Sequence, residues 1–218
     1  ANSFDRLTGH PDAESVLIQL VDNKDQKTVS LAITSLGAFK SGKGAREALE
    51  TVLGDDGRSW DHRGAAATSL YRIGSEEATG PLIAAAREGL GAIRQDPTDV
   101  EVQEAVGAIA TALGQLPASE SHDVLVELLL EERVSSSTRA AAVTALVYVP
   151  GSAGKKEVVD ALLKSLQSAE TDIRGTAVTA VGQLAIPASV DLLIDILLTD
   201  DKLDIGGAAA TALHYVVL

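Results

Sequence analysis

Cysteine and methionine are both missing from the 218-residue chain. Without cysteine there can be no disulfide, no thiolate nucleophile and no zinc–cysteine site. Aromatic residues make up 3% against 45% hydrophobic residues overall. A core must therefore be built from Ala, Leu, Val and Ile, whose small faces suit closely stacked helices better than a large-residue globular core. Basic residues are also scarce: 18 Lys and Arg against 31 Asp and Glu leave a net charge of −13. Such a field repels phosphate backbones and anionic membranes, and it favours either a basic partner or plain hydration of the surface. No apolar run reaches the roughly 18 residues of a membrane-spanning helix. An initiator methionine is absent too: the chain opens Ala1-Asn2-Ser3, as a processed product or an excised fragment does.

What the chain does contain is one phrase written six times. Asp172-Ile-Arg-Gly-Thr-Ala-Val-Thr-Ala-Val181 returns as Ser137-Thr-Arg-Ala-Ala-Ala-Val-Thr-Ala-Leu146 and as Asp61-His-Arg-Gly-Ala-Ala-Ala-Thr-Ser-Leu70. Weaker copies end at Leu36, Leu113 and Leu213, and these six aliphatic anchors lie 34, 43, 33, 35 and 32 residues apart. A threonine stands two residues before every anchor: Thr34, Thr68, Thr111, Thr144, Thr179 and Thr211. Self-similarity at a period in the mid-thirties is the mark of a solenoid of helix pairs.

Each pair has a small, nearly all-apolar first helix and an amphipathic second one. Val158, Val159, Leu162, Leu163 and Leu166 recur on one face of the fourth second helix, with Lys156, Asp160 and Lys164 opposite. The spacing predicts helix pairs over 99–116 and 121–132, 136–149 and 155–168, and 172–185 and 188–199. Pro117, Pro150 and Pro187 fall in the mid-repeat turns. A short helix opened by Pro11-Asp12 over 13–22 reads as a second helix without its first. A last helix over 204–218 reads as a first helix without its second, with no polar cap. Glu76 or Glu77 is expected to start an unusually long second helix, which accounts for the 43-residue spacing. Ser59 is expected to cap the helix that follows it. The recurring threonine is expected to return its hydroxyl to a carbonyl one turn back, which would let it sit at a packed position.

The Asp-x-Arg openings (Asp61 and Arg63, Asp172 and Arg174), Arg139 at the matching place, the Ala-Ala-x-x-Ala-Leu core and the mid-repeat proline together resemble the HEAT and HEAT-like repeats of the armadillo-type superhelix family. Val29, Val106 and Gly206 replace the arginine in repeats one, three and six, so an arginine ladder would be discontinuous. The resemblance implies an all-α, right-handed α-α superhelix of five to six helix pairs with half-repeats at both ends. It implies one domain over 1–218, a fragment of a longer protein, whose second helices line a concave protein-binding surface. A weaker likeness over roughly residues 110–185 is to the helical horseshoe of vitellogenin-type lipid-transfer proteins. Those carry lipid in a separate β-domain, so lipid binding is not implied here.

No catalytic, cofactor or metal constellation emerges. Gly37-Ala-Phe-Lys-Ser-Gly-Lys43-Gly44 matches a phosphate-binding G-x-x-x-x-G-K, but Gly44 replaces the Mg²⁺-binding hydroxyl residue and the preceding element is a helix, so it reads as a turn. His10, His62, His122 and His214 lie apart without ligand spacing, and His62 is expected to be exposed. Asp200, Asp201 and Asp204 lack the spacing of a Ca²⁺ loop. The chain thus reads as a non-enzymatic scaffold for a protein partner, a basic one by charge, with no nucleic acid or membrane, and with self-association through its uncapped ends as a further expectation. Partner-binding candidates are Trp60, Asp61 and Arg63 at a repeat edge, with Asp160, Lys164, Asp191 and Asp195 on second helices. Two alternatives are open. One is a small-molecule handler of the bilin-lyase type, which predicts a deep pocket around Trp60, Asp61 and Arg63. The other is a structural segment of a larger assembly.

Overall fold

The computed structural model describes residues 10, 12–40 and 42–217; the polar segment 1–9, Pro11 and Leu218 lie outside the described residues. Within them there are twelve α-helices and no strand. They are α1 (Ala13–Leu20), α2 (Gln26–Leu36), α3 (Lys43–Gly54), α4 (Trp60–Ile73), α5 (Thr79–Gln95), α6 (Val100–Gln115), α7 (His122–Leu130), α8 (Ser136–Tyr148), α9 (Lys156–Leu166), α10 (Thr171–Gln183), α11 (Val190–Thr199) and α12 (Leu203–Val217). Even-numbered members are the first helices of the repeats and odd-numbered members the second, so the pairs and both half-repeats fall where the period puts them. Each layer packs on its own neighbours, first helix on first helix and second on second, and each pair packs internally. The result is an α-solenoid.

The ends of the helices follow from short-range chemistry. Asp25, Ser59, Asp99 and Ser135 each accept a backbone N–H from the third residue on, so four first helices begin on a side-chain cap. Second helices α5, α7, α9 and α11 are entered through short 3₁₀ turns, the last opening on Pro187. Residues 76–78 belong to such a turn, and α5 itself starts at Thr79. Its 17 residues absorb the extra length of that repeat.

All six recurring threonines donate to the carbonyl four residues back, at 2.9–3.2 Å. The position is not packed as expected. Five of the six are exposed and Thr68 is half-buried, so the threonines form an outward-facing row. The back-bonded hydroxyl is satisfied by its own helix and needs neither core nor partner.

The two layers are spaced differently. Gly37, Gly114 and Gly182 each follow the anchor of their repeat. A Cβ on them would lie 3.0, 2.5 and 2.8 Å from the Cα of Ser69, Ala145 and Ala212, each of which precedes the anchor of the next repeat. First helices are therefore held near backbone contact, whereas successive second helices meet more loosely.

Candidate interaction surface

The three arginines of the Asp-x-Arg phrase do not point outward. Arg63 is 1% exposed. Its Nε donates to the Leu53 carbonyl at 2.8 Å, capping the end of α3, while Nη1 and Nη2 grip both Glu88 oxygens at 2.6 and 2.5 Å. The guanidinium carbon lies 3.9 Å from the centroid of the Trp60 ring. That ring packs over Gly89, where a Cβ would come within 3.2 Å of it. Arg139 repeats the device: Nε donates to the Leu129 carbonyl at 2.9 Å and Nη1 to Glu170 at 2.7 Å. Arg174 donates to Asp200 at 2.6 Å and to the Ser168 carbonyl at 2.7 Å. In each case the arginine closes the loop between a second helix and the following first helix. Trp60 and Arg63 thus pack on one another, and of that trio only Asp61 is exposed. Three of the five Arg63 N–H groups are engaged in these contacts and the side chain is enclosed, so it does not face outward with Asp61.

Carboxylates from neighbouring repeats supply the other half of these joints, and their partners were not legible in the sequence. Glu131 accepts from Arg133 Nε at 2.9 Å and from Arg94 Nε at 2.7 Å. Those two guanidinium groups, Arg133 foremost, hold its carboxyl at about 2. Arg63 likewise holds Glu88, and Arg174 holds Asp200, below the usual carboxylate range. A depressed carboxyl stabilises the fold above its ordinary value, and the contribution is lost as pH falls through the folded value. Glu131→Gln is therefore expected to lower stability at neutral pH and to flatten the stability curve between its ordinary 4.5 and about 2. Urea titrations across that pH range check it; an unchanged slope would contradict the assignment.

The phosphate-loop lookalike is a turn between two helices. Its Gly42 is the N-cap of α3, and the Glu14 carboxylate from α1 accepts the Ala45 N–H at 2.7 Å. An acid from the protein itself thus sits at the helix N-terminus where a phosphate would sit. Nearby Lys43 pairs with Glu47 and Arg46 with Glu50 and Glu77.

His62 is buried, contrary to the sequence expectation: its ring nitrogens meet Ser30 Oγ at 3.1 Å and Ser59 Oγ at 3.2 Å across an inter-repeat joint. His122 is equally enclosed. Its Nδ1 lies 2.6 Å from the Ser119 carbonyl and its Nε2 lies 3.0 Å from Ser152 Oγ. Burial holds its pKa below the ordinary histidine value. Ser152 is itself buried and its hydroxyl donates to the Val149 carbonyl, so the pair serves the joint and cannot reach a substrate. Among the described residues no group of three His, Asp or Glu side chains is placed to hold a metal ion. Nor is any helix of theirs long and apolar enough to cross a membrane.

What remains for recognition is the outside of each layer. First helices carry charge at their starts (Asp61, Glu104, Asp172, Asp204), but their exposed midline is Gly, Ala, Ser and Thr, with Leu31 in α2. Second helices carry the opposite pattern. Asp160 and Lys164 of α9 and Asp191 and Asp195 of α11 are all exposed, and α11 has no basic residue. Asp160 is ion-paired with Lys156. Asp195 joins Leu192, Thr199, Asp201 and the ion-paired Arg174 and Asp200 in a groove of about 450 Å³ between α9 and α11. Lys164 borders a second groove of about 420 Å³ together with Glu132, Gln167 and Glu170. Asp160 and Lys164 lie one turn apart on α9 and Asp191 and Asp195 one turn apart on α11, whereas Trp60, Asp61 and Arg63 lie far from them in the stack.

The family model for HEAT repeats matches residues 14–98 and 130–214. No curated protein matches the chain. Among solved structures, YibA of Escherichia coli superposes with a TM-score of 0.67 at 18% identity, over 95% of this chain and 72% of that one. A HEAT-like repeat protein of the archaeon Thermococcus onnurineus NA1 gives 0.63 at 11% identity, over 98% and 90%. An engineered protein gives 0.60 at 22% identity, over 95% and 97%. At these identities the likeness is one of fold.

Proposed function

This chain belongs to the HEAT-repeat family, and from that premise we propose that it is a non-enzymatic scaffold binding a basic protein segment across the exposed second-helix face of α9 and α11. The observation that carries this reading is the segregation of charge. The side chains a partner would meet on α11 are Asp191 and Asp195 beside an open groove, with Asp201 at its rim. The first-helix midline, by contrast, offers almost no charge. A cationic segment laid along this face would be drawn in by the field of the whole chain and would dock against Leu192 and the groove floor. Asp160, already neutralised by Lys156, contributes register more than attraction. Trp60, Asp61 and Arg63 mark a second edge at which only Asp61 is free to bind.

The test is direct. Asp191→Lys with Asp195→Lys is expected to weaken capture of a lysine-rich peptide by about tenfold or more, and raising salt should weaken capture by the unmodified chain in parallel. Isothermal titration at two ionic strengths reads both. Equal affinity of the two chains, or salt-independent binding, would sink the proposal.

A further inference from the structure

We infer that the groove between the turns leading into α5 and α7 receives the side chain of a lysine from a protein partner. The groove lies inside the stack, away from α9 and α11, so neither site depends on the other. Its volume is about 430 Å³, and it is bounded by Glu76, Thr79 and Ile83 from one repeat and by Pro117, Ala118 and Glu120 from the next.

The chain itself shows what such a groove takes. On either side of this joint a base of the chain bridges the starts of two successive second helices. The preceding groove, of about 470 Å³, holds Arg46, whose Nε lies 3.3 Å from the Glu77 carboxylate of the next turn. At the following joint Lys155 reaches back to Asp123 at 3.6 Å. Between them the pattern breaks: among the described residues the groove is lined by Glu76 and Glu120 and by no lysine or arginine. Neither acid has an ion-pair partner among the described residues. Capping does not account for them, because the entries to α5 and α7 have no side-chain cap. A third group points the same way. Thr79 is 7% exposed, lines this groove, and its hydroxyl has no hydrogen-bond partner. A buried hydroxyl left alone is costly, and an incoming donor relieves it. An ammonium carries three N–H donors and no acceptor, which matches two carboxylates and one hydroxyl oxygen. Its alkyl stem has Ile83, Pro117 and Ala118 to lie against.

Two-dimensional amide NMR of the unmodified chain, titrated with an end-blocked Gly-Gly-Lys-Gly-Gly peptide, tests this. Saturable shifts are expected at the Thr79, Gly80 and Glu120 amides, and the same peptide with its lysine acetylated should bind about tenfold more weakly or worse. Glu76→Gln with Glu120→Gln should weaken the lysine peptide to the same extent, and Thr79→Val, which keeps the shape, by a smaller factor. Both acids are exposed, so the double variant keeps the fold, as circular dichroism would confirm. Gly80→Lys supplies the cation from within: a Cβ there would meet nothing within 4 Å, and the new side chain should close the groove to the peptide. Shifts at those amides that are absent, that the acetylated peptide reproduces, or that survive the paired glutamine change overturn the inference. So does an affinity that Thr79→Val leaves unchanged. Shifts near Asp191 and Asp195 belong to the α9–α11 face and should persist in these variants, so the two sites stand or fall separately.

Discussion

Gly114→Val is expected to lower the stability of the chain by about 3 kcal/mol or more, beyond the usual cost of overpacking. Gly114 follows the anchor Leu113 near the end of α6, and a Cβ there would stand 2.5 Å from Ala145 Cα and 2.7 Å from Ala145 Cβ. Both obstacles are fixed to the backbone of α8, so no rotamer change relieves the clash and the helices must part. The gain in helix propensity from replacing glycine is only a few tenths of a kcal/mol for valine and cannot compensate. Separation at one joint also breaks the chain of nearest-neighbour interfaces on which a solenoid depends. The urea transition should therefore move to lower concentration and broaden, as repeats one to three and four to six unfold less cooperatively. Gly91→Ala is the control. It sits mid-helix in α5 with no atom within 4 Å of its Cβ position, and it should gain about 0.5–1 kcal/mol. Equal effects at the two sites would refute close first-helix packing.

That glycine illustrates what the sequence could and could not disclose. The period, the anchors and the threonine row announced stacked helix pairs, because every repeat solves the same local problem with the same residues. Even the back-bonding of the threonines was legible, since it depends only on residues one turn apart. Their exposure was not, because exposure is decided by which side of each first helix the neighbouring repeats leave open. The close approach of the first helices was equally hidden: the glycines at 37, 114 and 182 carried that information without announcing it. At the candidate surface, Asp160, Lys164, Asp191 and Asp195 could be placed on exposed second-helix faces from periodicity alone. Arg63 could not be placed, because its carboxylate partner Glu88 lies 25 residues away with no motif connecting them. An Asp-x-Arg phrase at a helix start suggests a surface pair; the fold instead buries the arginine and leaves the aspartate outside.

Arg63→Ala is expected to cost about 2–4 kcal/mol, near the range for breaking a buried charged joint. Three losses add up. The Leu53 carbonyl at the end of α3 loses the donor that caps it, the Trp60 ring loses the guanidinium stacked 3.9 Å from its centroid, and a long buried side chain leaves a cavity. Glu88 adds less, because its side chain is 46% exposed and water can take over its charge. Arg63→Lys should recover little, since a single ammonium cannot serve the carbonyl and both carboxylate oxygens in one plane. A cycle with Glu88→Gln should return a coupling of about 1 kcal/mol above pH 5 that fades as the pH falls below the ordinary glutamate range. The carboxylate held down by Arg63 then takes its proton. Trp60 is the only tryptophan, so its emission reports on this joint directly. Arg63→Ala should shift it to the red in the folded state, whereas Arg139→Ala, which removes the corresponding joint two repeats along, should weaken the fold without moving the emission. A red shift from both would mean that Trp60 answers to general loosening, and the stacking of arginine on indole would then have no part in holding repeat two to its neighbours.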